Sequence, residues 1–261
     1  MKLRIATAIA WVPVNLAFLW LGDWEFVLWI AILAIAATAE ILNLLLKLER
    51  APLPWVGPFI VFAFLVGADW MPTQQYFLLV GPVLVLSLLL LLLNRGQAAA
   101  FERWALTTSA ALYTGFLLGY TILLRQSPNG LRWMGAALLG TWVFDTGAYL
   151  VGRAWGRHHL LPTVSPGKTW EGAAGGAVVA MAAALSLVRL LHLSIAVALG
   201  LGLLIAVLAQ LGDLVESLMK RQARLKDMSS LLPGHGGVLD RIDGLIFSSI
   251  GVYYFHLIAG H

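Results

Sequence analysis

Nine apolar runs fill most of this 261-residue chain, at positions 5–21, 26–46, 55–68, 76–93, 104–124, 131–151, 172–190, 194–213 and 245–260. A helix needs roughly 20 such residues to cross the hydrocarbon core of a bilayer. The predicted fold class is therefore an all-α integral membrane protein with about nine transmembrane helices. Composition agrees: 60% of the residues are hydrophobic and 11% charged, against about a quarter charged in a soluble domain. A soluble globular fold, a disordered chain and a DNA-binding domain are excluded. Runs such as Leu88 to Leu93 lack the alternation of a barrel strand. With no cysteine, there is no disulfide framework, thiolate metal site or Cys nucleophile.

Turn chemistry separates the runs, at Gly22-Asp23, Pro52 and Pro54, Pro72, Asn94-Arg95-Gly96 and Pro128-Asn129-Gly130. The third run is short, so it is tilted, extended to Trp70 or re-entrant. Lys2 and Arg4 precede the first run as in a secretory signal, but Pro13, Asn15 and the nearby Trp11, Trp20 and Trp24 speak for a retained span.

Lys/Arg asymmetry sets the expected orientation. With the N-terminus in the cytoplasm, fourteen of the 17 cations lie inside, and only Arg125, Arg132 and Arg189 lie outside. Nine spans then leave the C-terminus outside. The two longest connections, 152–171 and 214–244, are both inside. The chain divides into N-terminal spans, residues 1–130, and a C-terminal catalytic region, residues 131–261, whose chemistry faces the cytoplasm. That is the expected face of an inner-membrane, multi-pass protein.

Within the second long connection, Asp213, Ser217, Lys220 or Arg221, and Arg224 recur every three or four residues. Helical spacing puts them on one stripe. An ionised Asp213 at the end of a span is costly unless paired or bound to a cation. Lys226-Asp227 follow, then Pro233-Gly-His235-Gly236-Gly237 and Asp240-Arg241-Ile-Asp243. Asp240 and Asp243 share a face at a helix start, where capping is one reading. The glycine-rich turn allows close backbone approach to a ligand. Asp213, Asp240 and Asp243 meeting at one face would form an all-oxygen site suited to Mg²⁺, which usually shares its shell with substrate phosphates.

Ahead of the first long connection stands Asp145, about 9 Å inside the expected end of its span, and within it lies Ser165-Pro-Gly-Lys168-Thr169. The latter lacks the glycine spacing and strand context of a P-loop. It supplies hydroxyls and one Lys before a helix start, a place suited to anions. The adjacent His158 and His159 diverge on a helix and carry no zinc motif. Gly172, Gly175 and Gly176 permit close helix packing.

These residues resemble the phosphatidate cytidylyltransferase (CDP-diglyceride synthase) family. Its pattern S-x-x-K-R-x4-K-D, then P-x-H-G-G-x-x-D-R-x-D, is met by Ser217, Lys220, Arg221, Lys226, Asp227, Pro233, His235, Gly236, Gly237, Asp240, Arg241 and Asp243. Asp145, Ala148 and Tyr149, with Ser165, Pro166, Lys168 and Thr169, also look like the family's. The match covers about residues 140–250, and residues 1–130 agree only in hydropathy. The resemblance implies a nine-span homodimer that makes CDP-diacylglycerol from CTP and phosphatidate, with Mg²⁺ and K⁺ as cations.

On this reading Asp213, Asp240 and Asp243 hold metal, while Lys220, Arg221 and Arg241 neutralise phosphates. Ser165, Lys168 and Thr169, with Ser217 and Lys226, bind nucleotide or lipid phosphate, and Asp145 and His235 organise the site or meet pyrophosphate. Two rivals use similar residues. One is a CTP-dependent polyprenol kinase. The other is a cation-coupled transporter built on Asp145 and Asp213, for which the chain shows no internal repeat. The net charge of +4 points to phosphates at a membrane surface, not to nucleic acid.

Overall fold

The computed structural model describes residues 2–92, 99–232, 234 and 236–259. Arg95, Pro233, His235 and the C-terminal His261 lie outside the described residues. The chain is mostly helical: α1 (Lys2–Leu21), α2 (Asp23–Lys47), α3 (Val56–Trp70), α4 (Val80–Leu91), α5 (Ala100–Ala111), α6 (Leu117–Gln126), α7 (Gly130–Trp155), α8 (Trp170–Ser186), α9 (Val188–Leu191), α10 (Ile195–Gln222) and α11 (Leu239–Ala259). Among the described residues five helices are long and apolar enough to cross a membrane: Asp23–Lys47, Ala100–Gln126, Gly130–Trp155, Ile195–Gln222 and Leu239–Ala259. The second of these is α5 and α6 joined through a wider turn at Leu112–Phe116. The other apolar runs lie largely in shorter helices, including Val56–Trp70 and Gln75–Leu91.

One element departs from the all-helical expectation. Strands β1 (His159–Leu161) and β2 (Ser165–Thr169) form an antiparallel pair. The Ser-Pro-Gly-Lys-Thr segment is thus extended, which its Pro and Gly favour over helix.

The chain forms two compact units, one of Met1–Leu123 with Asp227–Leu239, the other of Leu124–Lys226 with Asp240–His261. In the first, α2 packs on α3 and α5. Thr38 and Thr114 share a hydrogen bond of 2.6 Å in that interior; one hydroxyl donates to the other, and the accepting one donates to the carbonyl four residues back. Tyr76 is buried against Phe116, its ring stacked at 5.0 Å and its hydroxyl donating to the Phe116 carbonyl.

In the second unit α8 lies against α7 and α10, and small residues explain how closely. A Cβ at Gly176 would come within 2.8 Å of Phe144, and one at Gly172 within 2.8 Å of the Ala148 carbonyl. Without an aqueous driving force inside a bilayer, such van der Waals contact and interhelical hydrogen bonds hold helices together. Thr141 and Ser248 provide one of these bonds, at 2.7 Å between α7 and α11.

Candidate functional site

Helices α10 and α11 cross where both lack side chains. A Cβ on Gly212 would stand 2.4 Å from the Asp243 carbonyl oxygen and 3.1 Å from Gly244 Cα. Each glycine is the immediate neighbour of an aspartate, so the contact of the two backbones brings Asp213 and Asp243 together. Carboxylate oxygens of Asp213, Glu216 and Asp243 all lie within 4.8 Å of one another. The third member is thus Glu216, where the sequence pattern suggested Asp240. Glu216 sits one helical turn beyond Asp213, and its side chain is fully buried.

Asp240 enters the group differently. Lys220 Nζ donates to Asp240 Oδ1 at 2.7 Å and also pairs with Glu216, four residues back on α10. One ammonium thereby ties the last turns of α10 to the first turn of α11. The cost of enclosing Glu216 and Asp240 is offset by this shared cation, because buried charges persist only when paired.

Lys168 on β2 reaches Asp213 Oδ2 at 2.6 Å, and Ser217 Oγ donates to Asp213 Oδ1 at 3.2 Å. The hairpin therefore supplies a cation to the cluster. Thr169 serves the backbone instead, since its Oγ1 accepts the Gly172 N–H at 3.1 Å and caps α8. Ser165 pairs with Leu161 at the far end of the hairpin. Asp145, on α7, keeps part of its surface exposed. It lies within electrostatic reach of Asp213, Lys168 and Arg241, so it belongs to the same charged group.

The expected stripe along α10 does not hold as one surface. Arg221 turns away, donating to the carbonyls of Val164 and Leu225. Arg224 lies past the helix end with φ 54°, and Lys226 is exposed. Among the described residues, Lys168 and Lys220 pair with Asp213, Glu216 and Asp240, and Arg241 lies within electrostatic reach of Asp145. That gathering of carboxyl groups, all hard oxygen donors, has the chemistry of a divalent cation site.

Two further features belong to the same unit. A cavity of about 410 Å³ is lined by apolar side chains, among them Phe144, Leu161, Trp170, Ala177, Val207 and Leu211, with Gln210 at its edge. Gln210 precedes Asp213 by one turn of α10. In the first turn of α8, outside the expected spans, Glu171 accepts the backbone N–H groups of Arg157 and His158 and pairs with His158 Nδ1 at 2.5 Å. His158 and these N–H groups hold the Glu171 carboxyl down at about 2.

In the first unit, the glycine-rich turn also has a defined role. Gly234 and Gly236 take φ of 79° and 80°, a conformation costly for residues with a Cβ. Gly237 approaches a carboxylate closely, that of Glu40: a Cβ there would lie 2.5 Å from Glu40 Oε1. Sequence reasoning missed Glu40, which stands alone in an apolar run. It also missed Glu216, although its spacing from Asp213 and Lys220 places it on their face of the helix.

A model of the cytidylyltransferase family matches residues 2–259. The chain is 34% identical over 253 residues to a phosphatidate cytidylyltransferase of Staphylococcus aureus (strain COL), covering 95% of each chain. It is 34% identical over 264 residues to the phosphatidate cytidylyltransferase of Bacillus subtilis (strain 168), covering 97% of each.

Proposed function

Because the chain belongs to the cytidylyltransferase family, we propose that it joins CTP to phosphatidate, giving CDP-diacylglycerol and pyrophosphate. The observation that carries this reading is similarity to phosphatidate cytidylyltransferases along 95% of the chain. An oxygen of the lipid phosphate bonds to the α-phosphorus of CTP, and the bond from that phosphorus to the bridging oxygen of the β-phosphate breaks. The nucleophile is already an anion, so no Ser or Cys nucleophile is needed. What the reaction demands is the approach of two anions and neutralisation of pyrophosphate.

The residues suit both demands. Lys168, Lys220 and Arg241 would meet phosphate oxygens. Asp213, Glu216 and Asp243 would hold Mg²⁺, with Asp240 fixing Lys220 beside them and K⁺ as a second cation. When bound, the divalent ion supplies charge neutralisation to the phosphates. The family resemblance implies further nucleotide and lipid-phosphate contacts from Ser165, Ser217, Lys226, Thr169 and His235, and from Arg221 once it leaves the Val164 and Leu225 carbonyls. Thr169 serves through the cap that fixes the hairpin against α8. The apolar cavity beside Gln210 accepts the acyl part of the lipid, so the headgroup lies against the charged cluster.

The proposed setting is the inner membrane, crossed nine times, with the N-terminus and the site on the cytoplasmic face and the C-terminus outside. The cation asymmetry of the connections supports that orientation, and the family resemblance implies a homodimer. CTP is then met in the cytoplasm and phosphatidate in the inner leaflet. A polyprenol kinase and a cation-coupled transporter are not favoured by the full-length similarity. CTP labelled at its α-phosphate tests the reading, because that label should enter the lipid. Transfer of a γ label, or ion flux without nucleotide turnover, would sink it.

A further inference from the structure

Glu40 lies in α2 with only 3% of its surface exposed. An ionisable side chain in an apolar membrane helix is costly unless its polar atoms are met. Three hydrogen bonds from the segment 227–239 meet them. Ser229 Oγ donates to Oε1 at 2.6 Å, Val238 N–H to Oε1 at 2.8 Å, and Leu239 N–H to Oε2 at 2.8 Å. Ser229 Oγ in turn accepts the Leu231 N–H at 3.1 Å, and Leu232 N–H donates to the Gly236 carbonyl. The segment is thus folded around one carboxylate.

Leu239 is the first residue of α11. The first N–H groups of a helix have no partner within it, and a carboxylate at that end is favoured by the helix dipole. A capping side chain ordinarily belongs to the residue just before the helix. Here it comes from 199 positions earlier in the chain. Both oxygens are engaged, which fixes the orientation of the carboxylate as well as its place. Gly237 leaves room for it and would leave none with a Cβ.

We propose that Glu40 is a positioning residue for cytidylyl transfer: by capping α11 it keeps formed the first turn of the helix that carries Asp240 and Asp243, one and four residues past Leu239. The proposal rests on the reaction assigned above and extends it to a residue remote from the charged segments. Glu40 touches neither substrate nor the reacting atoms. Its effect passes through the backbone of α11.

The test uses full-length protein in lipid nanodiscs and compares wild type with Glu40→Gln, Glu40→Ala, Gly237→Ala and the Glu40→Ala/Gly237→Ala pair. Turnover, the Mg²⁺ concentration for half-maximal turnover, and amide hydrogen exchange across 236–243 are measured on each. Glu40→Gln offers one acceptor oxygen where two are used. It should lower turnover by about a hundredfold, the scale of a ~1 Å misplacement. Its Mg²⁺ requirement should rise, and protection should be lost at Val238 and Leu239 while persisting in α2. Gly237→Ala should do the same, because its methyl group pushes on the carboxylate. In the Glu40→Ala background, where that clash is gone, it should add little.

Near-wild-type turnover and unchanged exchange in Glu40→Gln overturn the proposal. So do losses from Gly237→Ala and Glu40→Ala that multiply in full. If Glu40→Ala does not insert, Gly237→Ala alone decides, through exchange at 238–243 and its Mg²⁺ requirement. Failure of the assigned reaction looks different: wild-type protein then makes no CDP-lipid, and the exchange data still judge the cap.

Discussion

Replacing Gly212 by alanine adds one methyl group at the crossing of α10 and α11. That carbon would stand 2.4 Å from the Asp243 carbonyl oxygen and 3.0 Å from its carbonyl carbon, both backbone atoms that cannot rotate away. Carbon and carbonyl oxygen normally approach to about 3.3–3.6 Å, so the helices must part by about 1 Å. Overpacking of this kind costs about 1–3 kcal/mol, which a membrane-inserted protein can survive. The catalytic loss should be larger, because a ~1 Å shift of a reacting geometry can cost about a hundredfold. We expect Gly212→Ala to keep its expression and helical content while transfer of α-labelled CTP into lipid falls about a hundredfold. Gly200, on the same helix, supplies the control: a Cβ there meets nothing within 4 Å. Gly200→Ala should be neutral or gain about 1 kcal/mol from helix propensity. Near-normal turnover in Gly212→Ala would refute the claim that the glycine contact places Asp213 and Asp243.

Asp213→Asn and Asp243→Asn should each abolish turnover in a folded, inserted protein, read by the same label assay; activity surviving in either removes that residue from the cation site. Filling the apolar cavity with Ala177→Phe should raise KM for phosphatidate and leave KM for CTP unchanged, as expected when an interaction common to ground and transition state is lost; an unchanged lipid KM excludes the cavity as the acyl site. Acid should weaken the loop 152–171 through Glu171. Its carboxyl is lowered from the ordinary 4.5 to about 2, so its stabilising contribution is complete above about pH 4.5 and disappears as pH falls toward 2. Melting in detergent should therefore separate wild type from Glu171→Gln at pH 6, with the gap closing toward pH 2. A gap independent of pH would contradict the pairing with His158 and the backbone.

The helices were legible because long apolar runs permit little else, and the polar residues between them marked where chemistry gathers. Legibility failed where partners are set by three-dimensional crossing. Asp240 and Asp243 look equivalent in sequence, yet Lys220 pairs with Asp240 while Asp243 lies beside Gly212. Glu216 was readable from its spacing, three residues past Asp213 and four before Lys220, but it falls outside the motif that drew attention to its neighbours. Glu40 gave no local signal, since its partners lie about two hundred positions away. The hairpin was missed because strands of three and five residues carry too little alternation to register.

Lys220 has two partners, and they become available at different moments in the life of the chain. Its pair with Glu216 lies within α10, four residues apart, and can form as soon as that turn of helix exists. Its bond to Asp240 must wait until α11 has been synthesised and delivered to the membrane. An α10 formed before α11 arrives would therefore carry an acidic and a basic side chain already paired with each other, at less cost in lipid than either charge alone. The later arrival of Asp240 recruits the same ammonium without breaking the first pair, so docking of the last helix requires no exchange of partners.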